Sequence, residues 1–151
     1  MQTGARQALL NQVSTASSLS EAKGGVYATR EMRSLGYELE DVSLHYRGNQ
    51  GLDLVFSQGD QFAVVEAKHS QYLSSLKTYA GGLRQGSLDY NVSRLERYLQ
   101  YGDGTNDVFA NRLLDNAYAG QLESFTSLYR GRSTYELPIG WPAPSVTPIK
   151  R

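Results

Sequence analysis

Apolar and polar positions alternate through the middle of the chain in two runs of strand length. Gly51-Leu52-Asp53-Leu54-Val55-Phe56 leads through the polar turn Ser57-Gln58-Gly59-Asp60 into Phe62-Ala63-Val64-Val65-Glu66-Ala67-Lys68. Two such runs around a short Gly-containing connection predict a β-hairpin. Successive strand side chains point to opposite faces. Ala63, Val65 and Ala67 therefore share one face, and Phe62, Val64, Glu66 and Lys68 share the other. The second strand begins apolar on both sides and ends charged on one, as expected where a buried interior meets a polar rim. If opposed residues sum to 117, Phe56 meets Gln61 and Asp53 meets Val64. Asp53 and Glu66 are then diagonal neighbours about 7 to 8 Å apart. A slip of one residue would turn Asp53 to the other face.

Helical periodicity flanks this hairpin. Leu9, Leu10 and Val13 stand at helical spacing in a stretch rich in Gln, Ser, Thr and Ala, so residues 1–19 read as a linker or short helix. The segment from Ser20 to Leu35 predicts a helix closed by Gly36, with Ala28, Glu31, Met32 and Leu35 on one side. Tyr37 to Tyr46 reads as a first strand. The run Ser70 to Tyr79 is compatible with a helix that stops at a bend, Gly81-Gly82. From Ser87 to Tyr101 a helix is expected, with Leu88, Val92, Leu95 and Leu99 as its apolar stripe and Tyr90, Arg94 and Arg97 on the rest.

Asn106 or Asp107 can cap a further helix to about Tyr118, with Phe109, Leu113 and Ala117 inward. Ser124 to Tyr129 and Ser133 to Leu137, around Arg130-Gly131-Arg132, predict a second hairpin. All four prolines lie from Pro138 onward, which predicts an extended tail over 138–151. Together these elements place residues 20–137 in the α/β class as one domain. A mixed central sheet would hold the hairpin, with the 20–35 helix on one side and the 87–101 helix on the other.

Composition narrows the function classes. A chain of 151 residues can bury roughly 70% of its unfolded surface without staples. It has no cysteine, which excludes disulfides and thiolate metal sites, and His45 and His69 are too few for a histidine-rich zinc site. Fifteen basic and fifteen acidic residues cancel, so no global field attracts a polyanion. Locally, Lys68, Lys77, Arg84, Arg94 and Arg97 outnumber Asp89 and Glu96. No stretch approaches the roughly 18 apolar residues of a membrane span, and the N-terminus lacks a secretory signal pattern. Eleven tyrosines can serve a core, a protein interface or stacking on unpaired bases.

The hairpin carries the candidate chemistry. Asp53, Glu66 and Lys68 put two carboxylates and an amine at a sheet's rim. Hard divalent cations take carboxylate oxygens and keep waters for a phosphate and a nucleophile, and the lysine can orient the water or neutralise developing charge. The plainer alternative is a solvated Glu66–Lys68 pair worth under about 1 kcal/mol.

An aspartate, a hairpin and then Glu66-Ala67-Lys68 after Val64-Val65 resembles the active-site core of the PD-(D/E)xK nuclease superfamily, the restriction-endonuclease-like fold. Leu52 stands where that motif's proline would be. The resemblance implies Asp53 and Glu66 as metal ligands, completed by the Ala67 carbonyl, with Lys68 assisting the attacking water. It also implies a divalent metal, Mg2+ or else Mn2+ or Zn2+. A helix acid often joins such sites: Glu31, or Glu21 in its place.

Arg84-Gln85 ahead of a helix is similar to the bacterial polymorphic-toxin branch of that superfamily. It implies substrate contacts from Arg84, Gln85, Tyr90 and Arg94. The same likeness implies a C-terminal toxin module of a larger delivery protein, as in contact-dependent growth inhibition, secreted or delivered to act in a target-cell cytoplasm and bound by a cognate immunity protein. A nucleic-acid substrate follows, DNA or tRNA, with DNA the commoner. The alternative of another class is a catalytically silent nuclease-like module that binds nucleic acid or protein.

Overall fold

The structure, a computed structural model, describes residues 3–15, 19–48, 50–52, 54–69, 78–79, 83–129 and 146–148. In chain order its elements are α1 (Thr3–Thr15), α2 (Leu19–Ser34), β1 (Glu38–Leu39), β2 (Leu44–Tyr46), β3 (Gln50–Leu52), β4 (Leu54–Gln58), β5 (Gln61–His69), β6 (Thr78–Tyr79), β7 (Leu83–Arg84), α3 (Leu88–Tyr101), α4 (Asp107–Tyr118), β8 (Leu122–Tyr129) and β9 (Val146–Pro148). The main sheet is mixed and runs β1-β4-β5-β8-β9, while β2-β3 and β6-β7 are separate two-stranded pairs. β5 is central, antiparallel to β4 and parallel to β8. A parallel partner requires a long crossover, which the chain makes through β6, β7, α3 and α4.

The expected hairpin forms, in a different register. Phe56 opposes Ala63 rather than Gln61, and Gln58 opposes Gln61, so opposed residues sum to 119. Only Gly59 and Asp60 remain in the loop, and Gly59 has φ +62°, as the tight turn of a two-residue hairpin requires. Both sums are odd, so the change moves partners along the strand without exchanging faces. Asp53 itself lies outside the described residues.

Two cores result. Leu54, Phe56, Ala63 and Val65 pack with Ala28 and Met32 of α2 and Ala8 of α1. On the opposite face Val55, Phe62, Val64 and Leu122 pack with Leu95 and Tyr98 of α3 and Ala110, Leu113, Leu114 and Ala117 of α4. Helices thus cover both faces, as the periodicity indicated. α2 stops where expected: Gly36 has φ +92°, and Gly36 N and Tyr37 N donate to the Arg33 and Met32 carbonyls, closing a left-handed helix end. At the start of α3, Ser87 Oγ accepts from Tyr90 N at 3.2 Å.

Three segments differ from expectation. Tyr37 to Tyr46 is two short strands, β1 paired with β4 and β2 with β3. Between them Glu40 N donates to the Val55 carbonyl, and Ser57 Oγ donates to Glu40, so polar bonds hold the bend in place of a continuous ladder. Thr78–Tyr79 is strand, paired with β7, consistent with the β preference of Thr and Tyr. Residues 70–77 and Gly81-Gly82 lie outside the described residues. Ser124 to Tyr129 belongs to the longer β8, whose antiparallel partner is β9 from the proline-rich tail; Ser133 to Leu137 lies outside the described residues. Among the described residues no helix is long and apolar enough to cross a membrane.

Candidate active site at the polar end of the central strand

Along one face of β5 the side chains run Phe62, Val64, Glu66, and all three are buried. Glu66 is only 4% exposed. It stands beside Thr126 in the parallel ladder with β8, and its carboxylate accepts a hydrogen bond from Gln85 Nε2. Ionised carboxyl groups are costly to bury and persist where they are hydrogen-bonded or paired.

Gln85 reaches Glu66 because of the residue that follows it. Gly86 has φ +87°, and a Cβ there would lie 2.6 Å from Thr126 Oγ1 and 3.1 Å from Glu66 Cβ. Only glycine lets the turn lie this close to the sheet in a left-handed conformation. Ser87 then caps α3, so the positive end of the α3 dipole begins two residues from the side chain holding Glu66.

The same face of β8 supplies further polar atoms. Ser124 and Thr126 are buried, and Asn91 of α3 is 1% exposed, its Nδ2 donating to Ser124 Oγ at 3.0 Å. Thr126 Oγ1 and Asn91 Oδ1 have no hydrogen-bond partner among the described residues. A buried carboxylate, a buried hydroxyl and the strand carbonyl of Ala67 are all hard oxygen donors, the set that magnesium or manganese prefers over softer metals. Among the described residues no three His, Cys, Asp or Glu side chains are placed so that they could hold a metal ion.

The structure distributes the residues singled out in the sequence as follows. Glu66 and Gln85 are brought together. Asp53 lies outside the described residues, between the ends of β3 and β4. Lys68 continues β5 opposite Leu128, and Arg84 lies in β7 opposite Thr78; both are described by backbone alone. Ala67 is half-buried between Glu66 and Lys68.

Tyr90 is buried. Arg94 lies over its ring at 4.8 Å and donates to Tyr46 Oη at 2.9 Å. Burial works against the Arg94 charge, but the bonds and charge interactions with Tyr46 and Tyr90 outweigh it and hold the guanidinium above its ordinary range.

Glu31 lies on α2, which packs against the sheet face opposite the one that carries Glu66 and buries Ala28 and Met32 there against Ala63 and Val65. Burial raises the Glu31 carboxyl above its usual range, against a hydrogen bond from Tyr27 and the charge of Arg30. Glu21, the other helix acid, lines a separate cavity of about 510 Å3 with Asn11, Glu40, Asp41 and His45.

Thr126, Ser124 and Asn91 were not among the sequence candidates. Their signal is the alternation Leu122-x-Ser124-x-Thr126, small hydroxyls on one strand face. A hairpin assignment for that segment conceals it; a parallel partner of β5 would have exposed it. Comparison of the chain with protein-family models, with curated proteins and with solved structures finds no match in any of the three.

Proposed function

We propose that the chain is a metal-dependent phosphodiester hydrolase of the restriction-endonuclease-like kind, built around Glu66. The observation that carries the proposal is a carboxylate buried at the polar end of an otherwise apolar central strand, held by Gln85, with Lys68 two residues on. Burial of an ionisable group costs stability, and such groups concentrate where chemistry needs them.

In this reading Glu66, Asp53 and the Ala67 carbonyl hold a divalent cation, magnesium foremost. The bound ion supplies Lewis acidity and a more acidic water. Gln85 fixes the Glu66 carboxylate in one orientation, and Lys68 places a positive charge beside the phosphate. Arg84 and Arg94 bind the nucleic-acid backbone, and the buried Tyr90 ring backs the Arg94 guanidinium. DNA is the favoured substrate, tRNA the alternative for the same chemistry. The biological setting that fits is a toxin module carried by a larger delivery protein, active in the target-cell cytoplasm and neutralised by a cognate immunity protein.

One observation favours a second reading, a module that binds without cutting: Gln85 already engages Glu66. Plasmid and tRNA, each incubated with magnesium, manganese or zinc and a chelator control, separate the two. We expect chelator-sensitive cleavage, lowered roughly 1000-fold in Asp53→Ala and Lys68→Ala with melting temperatures close to wild type. Full activity in both variants, or cutting that ignores the chelator, would refute the metal site. Active protein that is harmless when expressed in a bacterial cytoplasm would remove the toxin setting.

A further inference from the structure

One stripe of α3 carries Tyr90, Arg94, Arg97 and Tyr101, spaced i, i+4, i+7 and i+11. At 100° per residue these four fall within about 60° of one another. The helix's acids, Asp89 and Glu96, point about 100° or more away from Tyr90. The β2–β3 pair docks beside this stripe and extends it. Its turn lays the Arg47 guanidinium over the Tyr101 ring, 3.8 Å from the centroid, while Tyr46 lies 6.4 Å from Tyr101 and accepts from Arg94. Contacts therefore run from Tyr90 through Arg94, Tyr46 and Tyr101 to Arg47.

Two features point to use beyond packing. Tyr101 is 39% exposed and Arg47 is exposed, so a cationic plane backed by an aromatic ring faces solvent. Arg47 also has φ +48° and is the only non-glycine residue with positive φ among the described residues. A left-handed arginine is costly, and such outliers cluster at binding sites.

We propose that this stripe is a track for an unpaired stretch of nucleic acid, with bases stacked on Tyr101 and on the Arg47 plane, and phosphates on Arg94 and Arg97. It rests on the nuclease reading and deepens it by naming the substrate's state. The line ends at Tyr90, beside the turn that holds Glu66. From Tyr101 to Tyr90 the helix rises roughly 16 Å, so a strand lying along it is delivered to the carboxylate. A duplex keeps its bases stacked on each other and offers only phosphates, whereas unpaired bases stack on tyrosine and arginine planes.

The test is fluorescence anisotropy in chelator, with labelled oligothymidine, oligouridine and a blunt DNA duplex, at several salt concentrations. Single strands should bind roughly tenfold or more tightly than duplex, and the thymidine and uridine arms tell DNA from RNA. Tyr101→Leu should lose on the order of tenfold, and Tyr101→Phe should keep wild-type affinity. Arg47→Asn tests the side chain without breaking the turn, because asparagine tolerates left-handed backbone. It should melt no lower than wild type, yet bind several-fold more weakly, because a stacking plane for one base is lost.

Equal affinity for duplex, or wild-type binding by Tyr101→Leu and Arg47→Asn, would overturn the track. If wild-type protein cuts nucleic acid while these variants bind normally, the track alone falls. If wild type neither binds nor cuts any of the substrates, the nuclease reading falls with it.

Discussion

The two faces of the sheet are made from the same strands, and for most of their length both bury hydrocarbon. Against α2 the run Leu54, Phe56, Ala63, Val65 stays apolar and meets Ala28 and Met32. Against α3 and α4 the run Val55, Phe62, Val64 starts the same way. One residue pair further along β5 and β8 it becomes Glu66 beside Thr126, with Gln85 bonded above it. The first face gains free energy from every buried side chain. The second gives some of that back at its far end, where desolvated polar atoms are only partly satisfied. Stability and chemistry are thus laid out on opposite sides of one layer, and substitutions can probe them separately.

The largest expected effect lies on the apolar side. Phe56 is fully buried, and Phe56→Ala should cost about 3 to 5 kcal/mol by lost transfer energy plus the cavity left behind. Cleavage per folded molecule, measured below the lowered melting temperature, should remain. Loss of cutting by protein still folded by circular dichroism would show that the two faces are coupled.

A smaller and opposite effect is expected on the polar side. Thr126 Oγ1 is buried and unpartnered among the described residues, and such a group costs about 1 to 3 kcal/mol. Thr126→Val keeps the shape and removes the hydroxyl, so denaturant unfolding should find it unchanged or about 1 kcal/mol more stable. If the hydroxyl serves the site, Thr126→Val should cut more slowly while Thr126→Ser should not. A clear drop in stability for Thr126→Val would mean that the hydroxyl has a partner in the folded protein.

This contrast also explains what the sequence made legible. The apolar periods of α2, α3, α4 and the central hairpin were readable because alternation and helical spacing are local signals. So was the place of Glu66, since an acid ending a run of valines announces a rim. Gln85 was readable as a candidate, though not as the partner of Glu66, because that bond depends on Gly86 folding the turn onto the sheet. The register was missed by one pair because the loop closes on Gly59 and Asp60 alone. The role of β8 was missed because a parallel partner reached through two helices leaves no turn signal next to it. Periodicity puts Tyr90 off the apolar stripe of α3, yet it is buried, under Arg94.

The smallest effect concerns Glu31, and its sign follows from burial. Because desolvation raises the carboxyl's folded pKa above the ordinary value, folding favours the protonated form. The stability this group contributes is therefore fully present below the ordinary carboxylate range and is lost as pH rises through the raised value. Glu31→Gln removes the ionisation and keeps a polar group beside Tyr27. The variant should melt slightly higher than wild type at neutral pH, with the difference shrinking to nothing as pH falls below about 4. The group is only partly buried, so solvent screening keeps the effect small. Cleavage by Glu31→Gln should stay near wild type, since α2 covers the face away from Glu66. A variant that melts higher but no longer cuts would instead place Glu31 in the metal site and join the two faces at their polar end.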